Sequence, residues 1–250
     1  ATPYRDSVEY MILKYYSILN TPDNYKKFIN KYLKSIHKRL AVNLLYHSLN
    51  REFSEVSELP LSRDLIDSLE IISSKDKQEI IGVYEDKEVS FSGVDGKVVL
   101  GATSKNFDNK VFCSFSNSDF FVVKSGLRTE ILNRNFKTFY FRDNVNLVED
   151  IGMGVIKILH EDGLDIVHKS GMKILSGVYD NVYLVDNKFL LVESDEKFSL
   201  FTFFGDPIFD YTFSDVFQEG PFIIFENSDN MLYVITSNKI EKKILDFDKE

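Results

Sequence analysis

The feature that most constrains this chain is a faint self-similarity at a spacing of 34 residues. Gly171 matches Gly205, Ile174 matches Ile208, Val182 matches Val216, and Ser194-Asp195 matches Ser228-Asp229. The same offset carries Val148 to Val182 and Val155 to Phe189, and Asp95-Gly96-Lys97-Val98-Val99-Leu100 parallels Ser170-Gly171-Met172-Lys173-Ile174-Leu175. A repeat of this length is one supersecondary unit that cannot bury both of its faces alone, so the units must stack or close into a ring. Between the matched positions lie short runs rich in Val, Ile, Phe and Tyr, broken by Gly, Asp, Asn and Ser, the texture of strands and turns. Glycine in Lys124-Ser125-Gly126 or Val94-Asp95-Gly96 supplies the positive φ that a tight hairpin needs. The spacing predicts units at 86–118, 119–161 with an insertion, 162–195, 196–229 and a degenerate remainder at 230–250. Within one unit, strands are expected at Leu164–His168, Met172–Leu175, Asn181–Val185 and Phe189–Glu193.

Ahead of the repeats the period changes. Val8, Met11, Ile12, Tyr15, Ile18 and Leu19 fall on one face of a helix spanning Asp6 to Leu19, which Asn20-Thr21-Pro22 stops. Thr21 can cap a second helix that begins at Pro22, where the missing N–H costs nothing. Along it Tyr25, Phe28, Ile29, Tyr32, Leu33, Ile36 and Leu40 form an apolar stripe, and Lys27, Lys31, Lys34 and Lys38 form a cationic one. The pattern extends through Val42, Leu45, Tyr46 and Leu49, as one long helix or two joined ones. Leu59-Pro60 disfavours helix at its own position. Ser62 is then expected to cap a short helix burying Leu65, Ile66, Leu69 and Ile72, with a helical stub over Lys75–Ile81. The expected fold class is α+β: a basic α-helical region over residues 1–82, then an acidic all-β repeat domain over residues 83–250, propeller-like or built of stacked β-repeats.

The stretch from Asp162-Gly163-Leu164-Asp165-Ile166-Val167-His168 through Lys169-Ser170-Gly171-Met172-Lys173-Ile174-Leu175 resembles a WG-type β-repeat. Val178-Tyr179-Asp180-Asn181-Val182 and Phe189-Leu190-Leu191-Val192 continue the likeness, with the strand, Lys/Asp-x-Gly turn, strand, Tyr-Asp element and apolar strand of that family. This sequence has no tryptophan, and Phe198-Ser199 stands where the family's Trp-Gly would lie. The resemblance extends over about 140 residues and implies a β-propeller-like arrangement and a binding role outside catalysis.

Charge divides along the same boundary. Residues 1–50 hold eight Lys/Arg against three Asp/Glu, a net of +5; with −9 overall, the rest of the 250-residue chain carries −14. The two parts attract each other, or attract different partners. The single cysteine, Cys113, cannot close an intrachain disulfide, and it reads as a small strand residue in an apolar run. The expected location is the cytoplasm, since no run reaches the ~20 apolar residues of a membrane span and Lys14 ends the nearest approach to a leader, Tyr10-Met11-Ile12-Leu13.

No nucleophile elbow, phosphate-binding glycine loop or His-Glu-x-x-His helix occurs. His160, Glu161, Asp162, Asp165 and His168 contain metal-ligand chemistry, but on strands this spacing fits no ligand motif and reads as a solvated hairpin end. Gly152-Met153-Gly154 is too short to cradle a nucleotide. Asp206, Asp210 and Asp215 lack a calcium-loop spacing and read as an acidic edge. No catalytic, cofactor or metal residue is assigned, and no cofactor is expected. The residues assigned to partner or nucleic-acid contact are Lys27, Lys31, Lys34, Lys38 and Arg39, with Tyr25 and Tyr32 nearby. The expected function is a non-enzymatic binding or scaffold protein that the helices dock onto a larger assembly, with no membrane contact. An RNA- or ribosome-associated factor using the basic helices is the alternative, and a structural component of a viral particle the third.

Overall fold

The computed structural model describes residues 3–49, 80–85, 88–93, 98–100, 111–113, 120–133, 137–210, 212–219, 222–226, 232–236 and 239–245. Three helices come first: α1 (Pro3–Tyr16), α2 (Pro22–Lys31) and α3 (Lys38–Ser48). Thr21 precedes α2 in extended conformation with Pro22 as its first residue, the arrangement read from the sequence, although its side chain makes no capping bond. Asn20 turns the chain between α1 and α2 with a positive φ of 44°, which asparagine tolerates better than other side chains. The buried Asn20 amide donates to the Asn187 carbonyl at 2.8 Å, and its oxygen accepts the Tyr25 hydroxyl at 2.6 Å.

Among the described residues, eighteen strands follow in five antiparallel sheets, each built of strands consecutive in the chain. The first holds β1 (Ile80–Glu85), β2 (Glu88–Gly93) and β3 (Val98–Leu100). The second holds β4 (Val111–Phe112), β5 (Phe120–Ser125), β6 (Arg128–Asn133) and β7 (Thr138–Asp143). The third comprises β8 (Val145–Gly152), β9 (Val155–His160), β10 (Gly163–His168) and β11 (Lys173–Gly177), and the fourth β12 (Asn181–Val185), β13 (Phe189–Ser194) and β14 (Lys197–Phe201). The fifth runs β15 (Asp215–Glu219), β16 (Phe222–Glu226), β17 (Leu232–Thr236) and β18 (Lys239–Leu245). The class is therefore α+β, helices first and antiparallel sheets after. Two-residue hairpins such as Asp195-Glu196 take positive φ at both positions, the twist that suits flanking strands.

The sheets begin at 80, 111, 145, 181 and 215, intervals of 31, 34, 36 and 34. This corrects the phase of the expected units. Leu164–His168 and Met172–Leu175 fall in the third sheet, as β10 and the start of β11, while Asn181–Val185 and Phe189–Glu193 open the fourth. The supposed degenerate remainder belongs to a complete four-stranded sheet, β15 to β18. A period fixes the length of a unit but not where one ladder ends, because the link at 178–180 reads in sequence like another hairpin turn. The expected helices between Ser62 and Lys75 lie outside the described residues, and Ile80-Ile81, given to a helical stub, opens β1 instead.

From the second sheet to the fifth, successive sheets pack face on face, which explains the continuous apolar runs. In β13, Phe189 and Leu191 face the core shared with the fifth sheet, while Leu190 and Val192 face the third. In β10, Leu164 and Ile166 face the fourth sheet and Val167 the second. A strand buried on both faces loses the alternation of a half-exposed one.

The link from β14 to β15 carries the helices' attachment. Thr202 Oγ1 accepts the N–H groups of Phe204 and Asp206, both at 3.2 Å, and Gly205 turns with φ +76° where a Cβ would lie 2.1 Å from the Ile174 carbonyl oxygen. This bend delivers Phe204 into the core of Leu13, Tyr25, Phe28, Ala41, Leu44 and Leu45, with Met172 packed beside it. Tyr10 meets the Phe204 ring at 5.8 Å, and Lys14 Nζ pairs with Asp206 at 2.6 Å. At the other side His47 of α3 meets His168 edge-on at 5.0 Å, over Gly154, whose added Cβ would come within 2.6 Å of both rings.

Truncating Phe204 removes the body's plug from the helical core. Phe204→Ala is expected to cost about 3 kcal/mol, with amide exchange in α1, α2 and α3 accelerating while β10 and β13 stay protected. Equal acceleration in helices and strands would show that Phe204 supports the whole fold and not the helices' docking.

Candidate functional site

The five assigned cations do not share one helical stripe. Lys27 and Lys31 lie on the outer face of α2, opposite Tyr25, Phe28 and Ile29. Lys34 sits in the turn after α2, and Lys38 and Arg39 open α3. Ser35 explains the break: its hydroxyl accepts the His37 N–H at 3.2 Å, and the Lys38 N–H returns to the Ser35 carbonyl. A serine that bonds the local backbone competes with helix at that point. His37 Nε2 lies 3.0 Å from the Asp6 carbonyl oxygen, fastening the turn to α1. Glu9, buried on α1, is held below the usual carboxylate range by hydrogen bonds from Arg5 and Ser35. Leu33 and Ile36, expected in the core, stand exposed on this turn. Of the eight cations at the front, Arg5, Lys14 and Lys26 pair with Glu9, Asp206 and Asp23. Lys27, Lys31, Lys34, Lys38 and Arg39 form no ion pair among the described residues; Lys31 Nζ lies 5.6 Å from the Tyr32 ring centre. Among the described residues, Lys14 is the front-end cation that pairs with the acidic body. Tyr25 is fully buried and unavailable for base stacking.

The polar cluster of the third sheet is drawn inward. His160 and His168 stand at opposite ends of the β9–β10 hairpin, His160 opposite Gly163 and His168 opposite Val155. About five residues of strand, roughly 16 Å, separate them, so they share no ligand. Asp165, only 1% exposed, accepts the Tyr140 hydroxyl at 2.5 Å; Arg142 and Lys173 approach at 3.5 and 3.7 Å. Arg142 also reaches Asp162 at 3.2 Å. Burial pushes the Asp165 carboxyl up, but the Ser176 and Tyr140 hydroxyls and the charges of Lys173 and Arg142 more than offset it and hold it below its usual range. Burial and the same carboxylate push the Tyr140 phenol up. One partner is kept ionised and the other protonated, which makes a fixed strap between the second and third sheets. His160 Nδ1 accepts the Asp162 N–H at 3.2 Å; its Nε2, 3.7 Å from Asp165, has no hydrogen-bond partner. Among the described residues, no three His, Cys, Asp or Glu side chains converge as a metal site would require.

His168 belongs to the helix attachment. Its Nδ1 takes the Ser170 N–H at 3.1 Å, and burial, with Lys169 nearby, lowers its pKa to about 3. Gly152, Met153 and Gly154 all take positive φ in the β8–β9 turn, as turn residues and not a nucleotide cradle. Cys113 extends the ladder after β4 by donating its N–H to Val122, and burial pushes its thiol up.

The apolar stripe read on α1 divides: Ile12 and Leu19 pack against the cores and Ile18 is half-buried, while Val8, Met11 and Tyr15 face outward. Leu13, Glu9 and Ser17 face inward, while Tyr4, Val8, Met11 and Tyr15 are 81, 38, 68 and 73% exposed. At the end of this face a cleft of about 280 Å³ opens between Tyr15 and Ile18 of the front end and Pro207 and Ile208 of the body, with Lys14 and Asp206 on its rim. Among the described residues, six of the thirteen exposed large apolar side chains are Tyr4, Val8, Met11, Tyr15, Leu33 and Ile36, all in the first 49 positions.

No protein family and no curated protein matches the sequence. Among solved structures, the chain is similar to Hsv2 of Kluyveromyces lactis, with 13% identity and a TM-score of 0.29 over 50% of this chain and 45% of that one. It is similar to the N-terminal domain of Nup159, with 15% identity and a TM-score of 0.31 over 68% and 59%. It is also similar to PorZ, a surface component of the type-IX secretion system of Porphyromonas gingivalis, with 11% identity and a TM-score of 0.30 over 67% and 27%. The match spans less than half the length of Hsv2.

Two outcomes test the buried groups. Asp165→Asn leaves Arg142 and Lys173 facing a neutral amide and is expected to cost about 3 kcal/mol in urea unfolding; an unchanged midpoint would mean that the strap carries no charge. His168 is neutral when folded and protonates near 6.5 when unfolded, so its contribution is complete above pH 6.5 and falls as pH drops toward 3. Between pH 7.5 and 5 the loss is expected to reach about 2 kcal/mol, and His168→Gln should flatten that slope. Parallel slopes in the two proteins would refute the assignment.

Proposed function

We propose that this chain is a non-enzymatic docking protein: the β-repeat body is the platform, and the three helices fastened to it are the part that engages a larger assembly. The observation that carries the reading is the division of labour on the front end. Its inner apolar faces are consumed by the Phe204-plugged core, yet six large apolar side chains remain outside, with five cations that form no ion pair among the described residues. The polar groups of the third sheet are used as a strap, which is what a platform needs and a reaction centre does not. Repeat folds present broad surfaces without needing active-site chemistry. The WG-type and propeller-like likeness of the repeats belongs to the same reading, as does a cytoplasmic location. No helix among the described residues is long and apolar enough to cross a membrane.

A second reading, RNA or ribosome contact, is favoured by one observation: Lys27, Lys31, Lys34, Lys38 and Arg39 have no ion pair among the described residues. Affinity capture of the intact protein from its native cells at low and high salt separates the two. The docking reading expects a protein assembly that survives high salt without nucleic acid. The RNA reading expects binding that falls with a log–log salt slope of up to about −3.5 for five contacts to a single strand, and that is lost when Lys27, Lys31, Lys34 and Lys38 become Glu. Recovery of neither would sink both.

A further inference from the structure

His168 closes the end of β10 where α3 meets the body, and its two ring nitrogens have different covers. Nδ1 lies against its own turn, 3.1 Å from the Ser170 nitrogen and 2.8 Å from the Ser170 hydroxyl oxygen. Nε2 is buried, has no hydrogen-bond partner, and lies at the spot above Gly154 where the His47 ring of α3 also arrives. An aliphatic side chain would fill this place without leaving a polar atom unmet, so a buried imidazole here needs a reason beyond packing. The backbone of His168 is locked on both sides, opposite Val155 in the ladder and bonded through its N–H to the Met172 carbonyl. The sheet therefore cannot uncover Nε2 without breaking its ladder, whereas departure of α3 takes the His47 cover away.

We propose that the helical front end is an acid-released latch: His168 senses protons at the joint, and its protonation frees α1, α2 and α3 from the body while the sheets stay folded. This holds whatever the helices engage. Docked, the ring is buried beside Lys169, and both influences favour its neutral form; the Met153 carbonyl favours the charged form and is outweighed. Released, the ring meets water and takes a proton near pH 6.5. A proton that binds the released state and not the docked one pulls the equilibrium toward release. Among the described residues, the titratable groups around His168 are His47 from α3, Lys169 in its own turn, and Asp150 toward the end of β8, which pairs with Lys169 at 2.7 Å. The carboxylate is taken by the lysine, and neither His47 nor Lys169 offers a negative charge to a protonated His168. The attachment is thin enough to open first. Phe204, the Lys14–Asp206 pair, the Asn20 amide on Asn187 and the His47 contact hold helices too short to persist alone. Glu9, held low on α1, contributes fully above its ordinary value of 4.5 and fades only below it. Between pH 7.5 and 5 the change in protonation therefore belongs to histidine, and His168 is the one that release uncovers.

The test is native-state amide exchange on the full chain at pH 7.5 and pH 5, corrected for the intrinsic pH dependence of exchange. Amides of α1, α2 and α3 should exchange through an opening smaller than global unfolding, which leaves them less protected than those of β10 and β13. The equilibrium constant of that opening should grow about thirtyfold from the higher pH to the lower. His168→Gln, which cannot take up a proton, should remove most of the rise. Helices as well protected as the strands at both pH values would mean that no separate release exists. A separate opening of constant size would mean that His168 stays covered when the helices leave. Either result overturns the proposal, and so does a full rise in His168→Gln, because another histidine would then carry it. Should that variant fail to fold, an NMR titration of the histidines in the unsubstituted protein decides instead. His168 must stay unprotonated at pH 5 wherever the helices remain docked, and a His168 signal that titrates near 6.5 with the helices still protected would refute the latch.

Discussion

Helices of 14, 10 and 11 residues do not hold together in water on their own propensity, and Phe204 is what lets these three do so. Their shared core is small, and its last wall comes from the bend between β14 and β15 with Met172 beside it. The Lys14–Asp206 pair, the Asn20 amide on Asn187 and the His47–His168 contact lie around that plug and fix its orientation. Each is modest on its own, and the exposed ion pair contributes least. The apolar burial supplies the energy and the polar contacts supply the register. With the inner faces committed to the body, the outer faces are left for something else.

In the body the same logic runs sheet by sheet. The second to fifth sheets bury one another, so β10 and β13 are apolar on both faces, and a single carboxylate inside such a stack would be intolerable without partners. Asp165 is tolerated because Tyr140, Arg142 and Lys173 converge on it from the adjoining strands. A charge paired this way specifies which strands meet more than it adds to stability. It ties the second sheet to the third at the point where His160 and Glu161 turn the hairpin.

Much of this was legible in the residues. The switch from a period near four to short apolar runs separated helices from strands, Thr21-Pro22 marked the start of α2, and β10, β12 and β13 were placed within a residue or so. The phase of the repeat was not, because a turn within a sheet and a link between sheets use the same Gly, Asp and Asn chemistry. The stripe on α1 was legible as a stripe but not in its extent: Ile12 and Leu19 are covered and Val8, Met11 and Tyr15 are not, because periodicity shows that a face is apolar and not what covers it. The lysines looked like one stripe because nothing in the spacing reveals that Ser35 will take the His37 N–H and end the helix. The strap at Asp165 had one visible trace, a carboxylate in the middle of the apolar run from Leu164 to Val167. Phe204 as a plug left none, since its partners on the helices lie more than 150 positions earlier.

That separation in sequence bears on how the protein is made. The residues of α1 to α3 leave the ribosome long before Phe204 and the Thr202–Gly205 bend exist. At about 5–20 residues per second, the interval is on the order of ten seconds or more. Throughout it the inner face of α1 has α2 and α3 to pack on but not the body that closes their core. The nascent front end is therefore the stretch of this chain most in need of a chaperone, and the order of synthesis makes the attachment of the helices one of the last events of folding.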